Sequence, residues 1–189
     1  MSASPRTSTR AKSNPRNDII TMLKDDHKRA KKAFRDFAKL DAQEDTAECL
    51  ALVTQTCGEL KVHATLEEEL IYPAARSVLS DEDLIDEAEV EHATFKSLIQ
   101  QLESMSPQDD KFAATFTVLG EYIEHHVGEE EGEMFPMLAK AELDWPALNK
   151  EIVARRQELM EEFLPEAAND ASSASKSRRP SETASRRSA

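Results

Sequence analysis

Glycine is scarce in this chain, and long apolar runs are missing. Only 4 of the 189 residues are glycine, and β-branched residues are few beside alanine, leucine, glutamate and lysine. Unbranched side chains lose little rotamer freedom on a helix, so this balance predicts an all-α protein with one domain and two tails. Since no apolar segment reaches the length of a signal peptide core or a membrane span, we expect a cytoplasmic protein without a membrane partner.

The chain has only two cysteines, Cys49 and Cys57. Placed on one predicted helix, they are separated by about 12 Å along its axis, which is too far for a disulfide. Free thiols fit a reducing compartment. Because the sequence also contains no Gly-x-Ser-x-Gly and suggests no base partner for either cysteine, we set aside a nucleophilic hydrolase.

Charge divides the chain into an acidic body and two basic ends. Residues 17–170 hold 15 basic and 36 acidic side chains, a net charge of −21. We predict a disordered basic tail over residues 1–16 and a disordered Ser/Arg-rich tail over residues 166–189, because neither has enough apolar surface to bury. The tails are candidate contacts for a protein partner or for nucleic acid, although solubilisation is the simpler interpretation. The acidic body disfavours nucleic acid as the main partner.

Four long amphipathic segments each carry a histidine within the apolar stripe. The stripes advance in steps of three and four, as one face of a helix requires. Their short connections predict an antiparallel up-down-up-down four-helix bundle over residues 17–142. A shorter accessory helix over residues 143–165 has an apolar face that could dock on the bundle. Pro73 is predicted to stop the second helix, and Pro136 to stop or kink the fourth.

One eleven-residue pattern occurs twice, as HATLEEELIYP at His63–Pro73 and HVGEEEGEMFP at His126–Pro136. His27 precedes His63 by 36 residues, and His92 precedes His126 by 34. Residues four apart share one helix face, so each His-x-x-x-Glu directs an imidazole and a carboxylate to the same point. We therefore predict six inward ligand-type groups from four helices: His27, His63, Glu67, His92, His126 and Glu130.

Such an interior is unstable without a compensating cation, because each unpaired buried polar group costs several kcal/mol. Two metal ions would resolve the problem, and mixed imidazole and carboxylate ligation suits iron or manganese better than calcium or structural zinc. A single inward histidine is more often a hydrogen-bonded core residue. Four histidines in register with two glutamates favour the metal interpretation.

Several neighbouring residues have less certain roles from the sequence. His125 lies beside the stripe and is expected at the surface or behind the site. Glu59 and Tyr122 are within range of the site as outer residues or as ligands. A further group is expected to form a solvated acidic rim: Glu68, Glu69, Glu129 and Glu131.

The pattern resembles the hemerythrin-like family, the HHE cation-binding domains, from Asp18 to Lys140. The resemblance implies a non-haem di-iron centre held by the six residues named above. Family members bind oxygen reversibly, sense oxygen, iron or redox state, or react with nitric oxide and peroxide. The oxygen carriers have two histidines four residues apart on the third helix, whereas here Ala88 and Lys96 flank His92. The vacant position could be open, or be filled by water or by a carboxylate such as Glu89.

These observations favour a di-iron protein that binds or reacts with oxygen, nitric oxide or peroxide in a sensing or detoxifying role. Whether it turns over as an enzyme stays open. One alternative is a regulatory module whose partner binding depends on iron or redox state. Iron storage or ferroxidase activity is a third possibility, disfavoured because only Glu89 with His92 matches the ferritin-type Glu-x-x-His spacing.

Overall fold

A computed structural model describes residues 14–80 and 82–164, and over these residues the chain is helical with no strand. The helices follow in order: α1 (Pro15–Phe37), α2 (Thr46–Leu66), α3 (Tyr72–Arg76), α4 (Asp83–Glu103), α5 (Phe112–Glu129), α6 (Phe135–Leu138) and α7 (Trp145–Phe163). Two π-helical turns, π1 (Glu67–Ile71) and π2 (Glu130–Met134), join α2 to α3 and α5 to α6. In this part of the chain no helix has an apolar stretch long enough to cross a membrane.

Four long helices form the predicted antiparallel bundle. In it, α1 packs on α2 and α5, while α4 packs on α5 and α2, so each helix has two neighbours. The accessory helix α7 covers α1 and α2 on one side of the bundle. The fold class predicted from the stripes is therefore confirmed, including the additional C-terminal helix.

Apolar side chains form two separate clusters, one towards each end of the bundle. On α1, Leu23 belongs to one cluster and Ala30 to the other. On α4, Ala88 and Phe95 divide in the same way, with His92 between them. Each long helix thus passes from one cluster to the other at its histidine, which places a polar layer across the middle of the core.

Neither proline of the repeated pattern ends its helix, which differs from the prediction for Pro73. The chain continues in helical conformation through Pro73 to Arg76 and through Pro136 to Leu138. Just before each proline the backbone widens into a π turn, closed by bonds from Tyr72 N–H to the Glu67 carbonyl and from Phe135 N–H to the Glu130 carbonyl. The wider turn accommodates a ring that would clash in a regular α-helix.

The bundle begins two residues before its predicted boundary. α1 starts at Pro15, where proline's fixed φ suits the first helical turn. Residues 1–13 and 165–189 lie outside the described residues, and they include most of the predicted N-terminal tail and all of the predicted C-terminal tail. α7 ends at Phe163, close to the end predicted for the accessory helix.

Candidate metal centre

The structure brings all six predicted ligand residues together in the polar layer. α1 and α4 supply His27 and His92, α2 with π1 supplies His63 and Glu67, and α5 with π2 supplies His126 and Glu130. All six are buried. The Nε2 atoms of His27 and His63 are 3.1 Å apart, as are those of His92 and His126. Four helices therefore aim one nitrogen each at a common centre.

The two glutamates lie between the two histidine pairs. Oε2 of Glu67 is 3.1 Å from Nε2 of His63 and 3.5 Å from Nε2 of His92. Oε2 of Glu130 is 3.2 Å from Nε2 of His27 and 3.5 Å from Nε2 of His126. Each carboxylate thus faces one imidazole of each pair, a geometry suited to bridging two cations.

A second set of carboxylates lies behind the imidazoles, at their Nδ1 atoms. These residues come from a different helical segment than the histidine that each one serves. The Nδ1 contacts are Glu131 with His27 at 2.9 Å, Glu68 with His92 at 2.9 Å, Glu91 with His126 at 2.8 Å, and Asp26 with His63 at 3.5 Å. Since a carboxylate accepts hydrogen bonds, it keeps the proton on Nδ1 and leaves the Nε2 lone pair facing the centre.

Two of these outer carboxylates, Glu68 and Glu131, were predicted from the sequence to lie in a solvated acidic rim. The structure shows that this prediction was wrong. Each is partly buried against an imidazole of another helix. The sequence feature that could have indicated their role is the second glutamate of the repeated His-x-x-x-Glu-Glu. Asp26 and Glu91 had a signal of their own, since each directly precedes a histidine of the layer.

The donor set fits metal cations. In the described residues, both carboxylate oxygens of Glu67 and Oε2 of Glu130 are buried without a hydrogen-bond partner. Imidazole lone pairs and carboxylate oxygens at 3.1–3.5 Å repel one another unless a cation lies among them. Imidazole nitrogen combined with carboxylate oxygen suits iron, manganese or zinc.

The pKa shifts of three groups in the centre show that its negative charges favour a nearby positive charge. Burial disfavours the charged form of His63, but the negative charges of Glu67 and Glu130 and the Asp26 contact outweigh it and raise the pKa of His63. The pKa of His126 is raised in the same way, against burial, mainly by Glu130. Burial would raise the pKa of Glu130, yet the surrounding imidazoles hold it below its usual value.

Tyr72 is a component that the sequence reasoning missed. Its hydroxyl lies 2.9 Å from Nε2 of His92 and donates to Oε1 of Glu130 at 3.1 Å. The side chain faces inward because π1 closes a turn over five residues, which brings Tyr72 onto the face of Glu67. On a regular α-helix these two residues would be about 140° apart. Phe135, the equivalent residue of the second repeat, stacks on His27 at 5.7 Å instead.

The position where oxygen carriers have an extra histidine contains no substitute from α4 in this structure. Ala88 belongs to the apolar core. The Lys96 ammonium is 2.6 Å from Oε1 of Glu68. Glu89, which the sequence offered as a possible replacement, is half exposed and pairs with Arg76 at 3.0 Å. From outside the six-residue set, the Tyr72 hydroxyl faces Nε2 of His92 at 2.9 Å.

The remaining uncertain residues lie away from the centre. His125 is 61% exposed and contacts Glu91 and Glu129. Tyr122 is exposed. Glu59 pairs with Arg29 at 3.1 Å and contributes to the edge of a cavity. None of the three reaches the six-residue set.

That cavity adjoins the histidines and is small and largely apolar. Its volume is about 10 Å³, close to the space of one water molecule. Apart from the polar groups at its edge and at the centre, its walls are Ala30, Leu60, Phe95, Ile123 and Val127. It has room for about one water-sized molecule beside His63 and His126.

Comparison with known proteins gives relatives for both the sequence and the fold. A DNA nickase of Nostoc is 29% identical over 99 residues, which are 52% of this chain and 28% of that protein. An uncharacterized hemerythrin-like protein of Schizosaccharomyces pombe is 25% identical over 112 residues, 58% of this chain and 55% of that protein. The chain thus matches only part of the length of either relative.

A crystal structure of a hemerythrin HHE cation binding domain-containing protein from Mycobacterium kansasii has a similar fold. The TM-score is 0.61 at 22% identity, covering 77% of this chain and 93% of that one. The sequence model of the hemerythrin HHE cation binding domain matches residues 18–138, which include all six residues of the centre. The chain therefore belongs to the hemerythrin HHE cation-binding domain family.

Proposed function

We propose that this protein holds two iron ions in the six-residue centre and binds or reacts with oxygen, nitric oxide or peroxide there, in a sensing or detoxifying role. The observation that carries the proposal is the group of buried, unpartnered carboxylate oxygens of Glu67 and Glu130 among four converging Nε2 atoms. Manganese is the alternative metal, since it accepts the same ligands.

Each half of the centre has a distinct set of protein groups. His27 and His63 would hold one ion, His92 and His126 the other, and Glu67 and Glu130 would bridge them. Iron in this position would supply a redox-active centre for small ligands. The outer carboxylates fix the direction of each imidazole, and this fixed orientation is worth about 10- to 100-fold in metal affinity in comparable sites.

The chain's other groups restrict what reaches the centre. The apolar walls formed by Leu60, Phe95 and Ile123 exclude water, and the small cavity volume excludes organic substrates of ordinary size. The Tyr72 side chain belongs to the other apolar cluster, and its hydroxyl can donate a hydrogen bond or hold a proton beside His92. These features favour small diatomic ligands or peroxide over larger substrates.

Metal analysis of gently purified protein, followed by an optical titration, tests the proposal. We expect close to two iron ions per chain, and a change in the ultraviolet and visible bands when reduced protein meets oxygen, nitric oxide or peroxide. Stoichiometric metal without a response to any of the three would leave a metal-binding protein and overturn the ligand reaction. Protein without any stoichiometric metal ion would overturn the centre itself.

A regulatory role independent of turnover has one specific observation in its favour. Asp26 contacts both the His63 ligand and Arg156 of α7, so the centre is joined to a helix on the outside of the bundle. A partner recovered with only one metal state of the full-length protein would support this role. The same partner recovered equally with and without metal would contradict it.

A further inference from the structure

The four outer carboxylates are not equivalent, and the exception is Asp26. Glu68, Glu91 and Glu131 lie 2.8–2.9 Å from the Nδ1 atoms that they serve. Asp26 lies 3.5 Å from Nδ1 of His63, and within the described residues that nitrogen is buried without a hydrogen-bond partner. His63 is therefore the least supported of the four imidazoles.

An arginine of α7 binds the Asp26 carboxylate. Arg156 donates from both terminal nitrogens to the two carboxylate oxygens of Asp26, each at 2.7 Å. The Asp26 side chain is only 7% exposed, so this bidentate pair is largely shielded from water. Arg29 also contacts Asp26, but it is half exposed and shared with Glu59.

The internal repeat supplies a natural comparison for Asp26. Glu91 occupies the corresponding place before His92 and serves His126, as Asp26 serves His63. Its other oxygen lies 3.3 Å from the exposed His125, and no arginine binds it among residues 14–80 and 82–164. Glu91 is thus free to accept a short bond from its imidazole, whereas Asp26 is held by Arg156.

We infer that Arg156 of α7 is a positioning residue that withholds Asp26 from His63 and thereby weakens the metal position served by His27 and His63. The inference rests on the proposed two-metal centre and goes beyond it, since α7 lies outside the matched residues 18–138. A carboxylate that is hydrogen-bonded to Nδ1 makes the imidazole a stronger metal ligand. A carboxylate that is paired with an arginine instead leaves the imidazole a weaker metal ligand. The accessory helix would then set the difference in affinity between the two positions.

Stepwise loading of the metal-free, full-length protein tests this inference. Co²⁺ serves as the probe, because its visible absorption reports nitrogen ligation, and competition with a chelator gives each dissociation constant. We expect Arg156→Gln to tighten the weaker of the two binding steps by about 10-fold and to leave the other step unchanged. Arg156→Lys, which keeps the charge but loses the bidentate geometry, is expected to give a smaller change in the same direction.

Arg155→Gln is the matched control, because Arg155 is adjacent on α7 and pairs with the surface residues Glu69 and Glu158. It is expected to leave both steps unchanged. The double variant Asp26→Asn with Arg156→Gln tests whether the effect of Arg156 acts through Asp26. Without the Asp26 carboxylate, the gain in metal affinity should disappear. Thermal melts of the metal-free variants establish that each is folded.

Three results would overturn the inference. These are equal affinities in Arg156→Gln and Arg155→Gln, weaker binding in Arg156→Gln, or a gain that persists with Asp26→Asn. In each of these the wild-type protein still binds two ions, so the proposed centre stands. A wild-type protein that binds no metal would instead remove the proposed function, and this inference with it.

Discussion

A histidine on a helix face is ambiguous on its own, and its neighbours in sequence give it meaning here. His27 follows Asp26 and His92 follows Glu91, and both acids serve a histidine on another helix. Glu68 and Glu131 likewise serve histidines outside their own repeat. Each short motif therefore contributes an inward side chain that could bind metal and, one residue away, a carboxylate that contacts an imidazole of another helix.

The bridging role proposed for Glu130 can be tested by an isosteric change. Glu130→Gln keeps the side-chain shape but removes the charge and one acceptor, so we expect less than one iron ion per chain and a lower melting temperature of the isolated protein. His125→Ala, at an exposed neighbouring position, should retain the wild-type metal content. Elemental analysis with thermal melts measures both effects. Equal iron loss in the two variants would contradict the assigned centre.

Tyr72 offers a second test at the residue scale, because the repeat already contains its apolar counterpart at Phe135. Tyr72→Phe removes only the hydroxyl that lies between His92 and Glu130. We expect the metal content to be kept, while the optical spectrum and the rate of reaction with peroxide or nitric oxide change. Absorption and stopped-flow spectroscopy measure these. A spectrum and rates identical to wild type would show that the hydroxyl plays no part.

At the element scale, the π turns and the docking of α7 show most clearly what local sequence does not reveal. The prolines at 73 and 136 suggested helix ends, yet the helices continue through π turns that bring Tyr72 inward. α7 approaches α2 closely at Gly58: a Cβ there would lie 2.5 Å from Cδ2 of Leu164 and 3.0 Å from the Phe163 carbonyl. Glycine is needed at that crossing for space, even though it is a poor helix former.

A pair of glycine variants tests this close approach. Gly58→Ala should push the end of α7 away, whereas Gly128→Ala, with nothing within 4 Å of its Cβ, should gain about 0.5–1 kcal/mol from helix propensity. Overpacking costs about 1–3 kcal/mol, which offsets or exceeds that gain at Gly58. Urea denaturation of both variants gives the free energies of unfolding. If Gly58→Ala were as stable as Gly128→Ala, α7 would not pack as described.

At the scale of the whole molecule, a layer of buried charge divides the apolar core in two. Without metal, the layer relies on protons carried by His63 and His126, whose pKa values are raised by the glutamates that face them despite their burial. A raised folded-state pKa stabilises the fold below the ordinary histidine value of 6.5, and this stabilisation is lost as pH rises through the raised value. Bound metal removes the dependence on those protons.

Chelation should therefore destabilise the protein, and more so at higher pH. We expect the melting temperature to fall by about 5–10 °C near neutral pH when metal is removed, as for a ligand present at roughly 100 times its dissociation constant. The difference between metal-loaded and metal-free protein should widen from pH 6 to pH 9, because this range lies between the ordinary histidine value and the raised pKa of His63 of about 10, and the stabilisation from the raised pKa declines across it. Calorimetry at both pH values measures this. A difference that stays constant or narrows would contradict the assigned electrostatics.

Helix periodicity predicted the all-α bundle and the depth of the polar layer, because it fixes which side chains share a face. The family was indicated by the resemblance of the repeated motifs. His27, His63, Glu67, His92, His126 and Glu130 could be selected from spacing alone, and the structure places them together. Their ligation of metal stays a prediction. The doubled glutamates suggested a solvated rim, since periodicity within one helix gives no information about groups that reach across to another.

The distribution of the outer carboxylates, the position of Tyr72 and the contacts of α7 could be seen only in the folded protein. Each depends on the packing of one segment against another: π1 turns Tyr72 inward, and Arg156 reaches Asp26 from 130 residues further along the chain. Local sequence sets the direction of a side chain relative to its own helix axis. The identity of the group it meets depends on the rotation and separation of neighbouring helices, which are set by the packing of the whole core.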